Sequence, residues 1–341
     1  MMSKELEGVT IIICCYNSVK RLPETIRHIS LQKNTEDIPW EILLIDNAST
    51  DNTSEVANNL CEQYLKHVPF SIIYEDNPGL ASARKRGINE AKHEFLLFCD
   101  DDNWLYPDYV AIGFHLLKNN SKIGVLGGQG VGEYESHPPQ WFLDHTMNFA
   151  IGKQANASGN LTSTRGWVFG AGFFNRKSLL KQLEASNFIF LLTGRKGNVL
   201  STGEDKELCF VIREMGYQIF YDEKLMFKHY MPVERFNYDK FVNMAYYSGR
   251  ASFVYNLYDN ALLAKSFPLY WLYNVADGMV RISISWLLKS ILFNSQSDFK
   301  VKNDMRFKYQ SGRLPILFNI GYCIHCINIK TGLIANLKKN T

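Results

Sequence analysis

Along the first 130 positions, apolar residues gather into short runs separated by stretches where they recur at helical spacing. Residues 9–15 (VTIIICC), 40–45 (WEILLI), 70–74 (FSIIY) and 94–99 (EFLLFC) have the length and the β-branched or aromatic content of strands buried on both faces. Between them, residues 18–31, 53–64 and 80–91 space their apolar positions as amphipathic helices do, with polar start signals at Ser18 and Asp51. Repeated strand–helix–strand units predict an α/β fold: an open, mostly parallel sheet flanked by helices. Such sheets bind ligands beyond the carboxyl ends of their strands, which directs attention to four loops: CCYNS, DNASTD, EDNPGLASAR and CDDDNW.

Residues 120–235 are less regular. GVLGGQG and GWVFGAGFF are Gly-rich and strand-like, where glycine permits close approach of backbone or ligand. Residues 176–184 read as a short helix. GEDKE then opens a helix over 208–215, with Gly216 as its stop and YQIFYD as the next strand. From about 236 the chain turns helical and aromatic-rich. Residues 267–293 are strongly apolar but are interrupted by Asp277, Arg281 and Lys289, so no run reaches the roughly 18–20 residues of a spanning helix. The expected division is 1–235 as one α/β domain, with halves 1–130 and 131–235, and 236–341 as a helical, aromatic and basic region.

The formal charge of +3 is small, and no basic cluster interleaves with stacking aromatics, which argues against nucleic acid as a partner. Residues 296–341 nevertheless carry eight Lys and Arg against two Asp. That tail, with Tyr270, Trp271, Tyr273 and Trp286 before it, suits either an anionic membrane surface approached flat, or packing on the core or in a homodimer. Seven cysteines, three of them (Cys14, Cys15, Cys99) within apolar runs, predict a reducing compartment and no disulfide framework. Cys323-Ile-His-Cys326 has half a zinc-site spacing and no second pair. The N-terminus lacks the apolar core of a signal peptide, so the expected location is cytoplasmic, extending to the inner face of the plasma membrane.

The sharpest chemical signal is Asp100-Asp101-Asp102 at the end of the fourth run. Adjacent carboxylates repel one another and lose hydration when buried, and a hard divalent cation relieves both costs. Mg2+ takes one or two protein carboxylates and completes its shell with water and substrate phosphates, so Asp100 and Asp102 suffice when the substrate brings a diphosphate. A surface turn capping the following helix is the competing reading.

The neighbouring segments favour the cation. VTIIICCYNS, EILLIDNASTDNT, NPGLASARKRGINEAKHEFLLFCDDDNWLYPDYV and GEDKELCFVIREMGYQIFYDEKLMFKHY, in this order, resemble the family 2 glycosyltransferases of the GT-A fold over about residues 8–230. The resemblance implies a Mg2+- or Mn2+-dependent and inverting enzyme. It would move a sugar from a nucleotide-diphosphate donor to a saccharide or lipid-linked saccharide acceptor in surface-polysaccharide assembly. Transfer to a polyprenyl phosphate, a sugar nucleotidyltransferase and a non-catalytic sugar-nucleotide-binding subunit are the alternatives.

By the same resemblance Asp102 and Asp100 would serve the metal, Asp101 would face the donor's ribose or sugar, and Asp205 would be the general base with Glu204 next. His229 would lie near the metal or diphosphate, or be an ordinary half-buried histidine. Tyr16 would lie against the base, with Asp46 and Asn47 reading its edge. Asn47 stands where the family often has Asp, which favours UDP or dTDP while leaving GDP open. Arg84 would contact phosphate or hold the Asp loop, or else lie on a helix surface. Trp167 would offer a ring for sugar stacking, or belong to the core.

Overall fold

The computed structural model describes residues 6–188, 190–192, 203–259, 267–291 and 298–318. The first half alternates as the apolar pattern predicts: β1 (Leu6–Cys15), α1 (Leu22–Ser30), β2 (Trp40–Asn47), α2 (Thr53–Tyr64), β3 (Phe70–Glu75), α3 (Leu80–Glu90) and β4 (His93–Asp100). A three-residue strand β5 (Asn103–Leu105), α4 (Tyr109–Asn119) and β6 (Ile123–Tyr134) follow. Next come a short helix α5 (Gln140–Leu143), β7 (Gly159–Asn160), β8 (Phe173–Arg176), α6 (Lys177–Ala185), α7 (Glu204–Glu214) and β9 (Gln218–Met231). Three long helices, α8 (Tyr238–Asp259), α9 (Phe267–Ile291) and α10 (Asp298–Phe318), complete the described chain.

The sheet runs β3-β2-β1-β4-β8-β6-β9-β5, with β7 on β9. The β3-β2-β1-β4 half is parallel, β8 is antiparallel to both its neighbours, and β6 and β9 are parallel to each other. Alternate residues of each central strand enter different cores. Ile11, Ile13, Ile42, Leu44 and Leu97 face α1, α2 and α4, while Ile12, Leu43, Ile45, Leu96 and Phe98 face α3, α6 and α7. Burial on both faces is why these strands read as unbroken apolar runs, and each such side chain contributes roughly 1.5–3 kcal/mol. The register lines up the carboxyl ends of four strands: Cys15 pairs with Asp46, Asp46 with Tyr74, and Cys14 with Asp100.

Two features go beyond the sequence pattern. β9 is 14 residues long, where YQIFYD suggested a short strand; its register shifts against β6 between Gly127 and Gln129, and it continues to Met231. That extension lets β5 pair with it, setting Asn103 opposite His229. Ser18 does not cap α1, whose first residue is Leu22; its hydroxyl turns to Asp101 instead.

The C-terminal helices share the cores of the sheet domain. Ala251, Val254 and Tyr258 of α8 join the cluster around α7, and Phe241, Val242 and Val301 pack with Phe142, Phe149 and Met231. No helix among the described residues is long and apolar enough to cross a membrane. α9 leaves Val280, Ile284, Leu287 and Ile291 exposed at spacings that share one helix face. Trp286 is exposed as well; the side chains of Tyr270, Trp271 and Tyr273 lie outside the described set, as do Cys323, Cys326, Lys330, Lys338 and Lys339. Cys14, Cys15, Cys61, Cys99 and Cys209 are free thiols.

Candidate active site

The three aspartates diverge at the end of β4. Asp101 turns back toward the loop after β1. Its Oδ2 accepts hydrogen bonds from Ser18 Oγ and from Arg21 Nε and Nη2, at 3.1 and 2.7 Å for the arginine, and its carbonyl accepts from Thr25 Oγ1 at 2.7 Å. Arg21 Nη2 also reaches the carbonyl of Tyr16 at 3.3 Å, so Asp101 anchors the loop that presents Tyr16. Tyr16 itself is 57% exposed, followed by Asn17 in a left-handed conformation. Burial raises the Asp101 carboxyl against the pull of Arg21.

Asp102 is 4% exposed and lies between His229 and Arg235. Its Oδ1 is 3.4 Å from His229 Nε2 and its Oδ2 is 3.2 Å from Arg235 Nη2, with Asn103 Nδ2 donating to Oδ1 at 3.1 Å. Burial alone would raise this carboxyl, but His229, Arg235 and Arg21 together hold it well below the usual carboxylate range. Asp100 behaves oppositely. Burial first, then the neighbouring Asp102, push its carboxyl up to about 6, with Arg84 opposing. Its carboxylate accepts no hydrogen bond from the described residues.

Opposite these aspartates stands the N-terminus of α7. Arg84, from α3, reaches across to an ion pair with Asp205 Oδ1. Its guanidinium lies 5.5 Å from the Phe98 ring centroid and 5.6 Å from that of Phe173. Burial disfavours the charge on Arg84, yet Asp205, Glu204 and Asp100 outweigh it and raise the guanidinium above its ordinary value. Arg84 is therefore no helix-surface residue: it joins the aspartates of β4 to the acids of α7. The other Asp205 oxygen passes over Gly170, where a Cβ would collide with the carboxylate. Gly203, in left-handed conformation, similarly leaves room for Tyr255.

The structure thus brings Asp102, Arg84, Asp205 and His229 within electrostatic reach of Asp100. Asp46 and Asn47 are placed differently from the expectation. Asp46 is buried, with Ser49 N donating to Oδ1 at 3.1 Å and Ser54 Oγ to Oδ2. Asn47 donates to the carbonyls of Glu75 and Asn77 at 3.3 and 2.7 Å and accepts from Gly79 N at 2.7 Å. Both side chains hold the loops around the site, so neither offers a free edge to a base. Trp167 differs too. Its ring carries the Arg165 guanidinium at 3.6 Å and the Lys206 ammonium at 3.7 Å from the centroid, so it is not a bare surface for a sugar.

Among the described residues, no three His, Cys, Asp or Glu side chains converge as a ready-made metal cage. The donor chemistry nevertheless fits a hard cation that keeps water and substrate oxygens: a buried Asp102 carboxylate and a half-buried Asp100 carboxyl that burial and its neighbour Asp102 push up. His229 faces Asp102 through Nε2 while its Nδ1 is buried without a hydrogen-bond partner among the described residues. Arg21 and Arg235 were not singled out in the sequence. Arg21 was visible only as a basic residue in CCYNSVKR, and nothing local links Arg235 to an aspartate 133 positions away.

Comparison with known proteins identifies the family. Residues 10–183 match the family model "Glycosyl transferase family 2". A putative glycosyltransferase, EpsH, of Bacillus subtilis is 32% identical over 106 residues, 31% of this chain and 29% of that protein. The poly-beta-1,6-N-acetyl-D-glucosamine synthase of Staphylococcus aureus is 27% identical over 124 residues, 36% of this chain and 29% of that one. The chain thus matches about three-tenths of the length of each of these relatives. A mannosyltransferase from Pyrobaculum calidifontis, solved with GDP-Man and Mn2+, superposes over 91% of this chain and 87% of its own with a TM-score of 0.57 at 15% identity, which shows a shared fold. With its mostly parallel sheet flanked by helices and a family match over half its length, the chain belongs to the family 2 glycosyltransferases and has the GT-A fold.

Proposed function

We propose that this enzyme transfers a sugar, with inversion, from a nucleoside-diphosphate sugar to a saccharide hydroxyl in cell-surface polysaccharide assembly. The observation that carries the proposal is Arg84, which fixes the candidate base Asp205 at one oxygen while placing it across from the β4 aspartates. In the reaction, the acceptor oxygen bonds to the anomeric carbon as the bond to the diphosphate breaks. Asp205 accepts the hydroxyl proton at the oxygen that faces Gly170. Arg84 keeps that carboxylate oriented, and Glu204 adds negative charge beside it. Asp100 and Asp102 are the residues that would hold a Mg2+ or Mn2+ ion, which when bound neutralises the diphosphate and its departing charge.

On the donor side, Tyr16 is the exposed ring available to a base, held by Arg21 and Asp101. Asp46 and Asn47 act through the loops they tie down. His229 and Arg235 flank Asp102 and would hold it in place or meet the diphosphate. Family membership and the GDP-Man-bound and Mn2+-bound mannosyltransferase support a sugar-nucleotide donor with a divalent ion; UDP, dTDP and GDP are all carried forward. The sheet domain to 235 is taken as the catalytic unit, with the helical region resting its exposed α9 face on an anionic membrane.

Asp205→Asn tests the assignment. It is expected to bind the nucleotide sugar as the wild type does while losing transfer by about 10^2–10^4-fold, the usual contribution of a general base. Proton NMR of the wild-type product should show the inverted anomer. Retained transfer in Asp205→Asn would remove that residue from the reaction, and a retained anomer would overturn the single-displacement step.

A further inference from the structure

Beside the candidate base lie two cations that the reaction above does not use. Lys206 follows Asp205 in the first turn of α7, and Arg165 lies on the same Trp167 ring, so two positive groups share one indole. Neither makes an ion pair with a described carboxylate. Asp205 is paired with Arg84 and acts on Lys206 only through its charge, and Glu207 accepts from Leu191 N, Leu192 N and Tyr258 OH. Glu204 acts on Arg84 and Tyr255.

Both cations are substantially withdrawn from water. Burial pushes the Lys206 ammonium down to about 8, with Arg165 adding repulsion, and burial lowers the Arg165 guanidinium to about 10. Arg165 donates through Nη1 to the Gln154 carbonyl at 3.2 Å, while its Nε is buried with no partner among the described residues. It also borders an open cleft of about 500 Å3 walled by residues 154–161 and Thr164, a lining that contains no carboxylate. Two desolvated positive charges share one indole, and one of them, Arg165, has a buried unpartnered donor and borders the cleft, which leaves an anion as the missing partner. Cation–π contact offsets only part of that desolvation.

We propose that Arg165, Trp167 and Lys206 form an anion-binding subsite that takes a phosphate or diphosphate group carried by the acceptor. This deepens the transferase reading and rests on it: the subsite would anchor the acceptor's charged end next to Asp205, leaving the diphosphate of the donor to the opposite side of the cleft. A guanidinium recognises phosphate oxygens through paired N–H groups and an ammonium as a point charge, so both suit that ligand.

The experiment titrates the full chain with inorganic pyrophosphate in EDTA, following the melting temperature of wild type, Asp102→Ala, the double variant Arg165→Gln/Lys206→Gln, and Lys206→Arg. Pyrophosphate is expected to stabilise wild type, Asp102→Ala and Lys206→Arg, with affinity about tenfold weaker in the double variant. No stabilisation of wild type, or equal stabilisation of the double variant, overturns the proposal. Should the double variant not fold, the Nζ resonance of Lys206 in 15N-labelled wild type is read instead: a shift on adding pyrophosphate supports the subsite, an unmoved resonance rejects it. A parallel arm uses phosphatidylcholine vesicles bearing a polyprenyl diphosphate. Loss of vesicle capture in the variant assigns a lipid-linked source, and loss of soluble pyrophosphate binding alone assigns a free phosphorylated saccharide. Binding of nucleotide sugars with Mn2+ is expected to be unchanged in the double variant and in Lys206→Arg. If none binds to wild type, the transferase reading fails while the anion subsite is judged on its own titration.

Discussion

Asp100, proposed above as a metal ligand, works against the fold when no cation is bound. Its carboxyl stands at about 6 against an ordinary 3.8, because burial and Asp102 oppose the charge. The sign follows from linkage: the folded state binds the proton more tightly, so the cost is full above about pH 6 and vanishes as pH falls through 3.8. Asp100→Asn should therefore stabilise the metal-free protein by about 1–2 kcal/mol at pH 7.5, with the advantage disappearing near pH 4. Denaturant unfolding at the two pH values checks this, and a destabilised Asn variant at pH 7.5 would contradict it. Arg84 is the converse case. Arg84→Met leaves Asp205, Glu204 and Asp100 without their shared cation, and should cost about 3–5 kcal/mol in the same assay. Most of these partnerships were not legible in the sequence, since Arg84 and Asp205 lie 121 positions apart and Arg235 lies 133 from its aspartate. What was legible was the residue type at each strand end.

At the level of elements, strands buried on both faces announced themselves as unbroken apolar runs, and α2 and α3 as amphipathic periods; each appears close to its expected place. β5 has three residues and no periodicity to display, and the extension of β9 crosses a register shift, so the pairing that sets Asn103 opposite His229 was invisible. The contact of Asp205 with Gly170 is also a matter of elements, the loop before β8 passing under the start of α7. Gly170→Ala should displace the carboxylate, lowering kcat at least about tenfold while leaving donor binding intact, as expected for an angstrom-scale misplacement of a reacting group. Steady-state kinetics beside a donor-binding titration distinguishes this outcome from general misfolding, in which both would fall. For α9, Ile284→Glu with Leu287→Glu places two charges on its exposed apolar face. Flotation with vesicles rich in anionic lipid should show less bound protein than wild type, and equal binding would remove that face from membrane association.

Over the whole molecule, the parallel half of the sheet supplies Tyr16, Arg84 and the aspartates, and α7 supplies Asp205 and Lys206, with α8 clasped onto that helix through Tyr255 and Tyr258. Tyr258→Phe removes one donor from the fully buried Glu207, which should cost about 1–3 kcal/mol in denaturant unfolding. Whether the β4 aspartates seat a metal-assisted diphosphate is open to a direct test. UDP-, dTDP- and GDP-sugars are screened with Mn2+ and Mg2+ against wild type and Asp102→Ala, following thermal stabilisation and nucleotide release. The account predicts that one donor class stabilises the wild type only when the metal is present, and that Asp102→Ala abolishes the effect. Stabilisation that is indifferent to metal and to Asp102, or its absence with every donor, would contradict it.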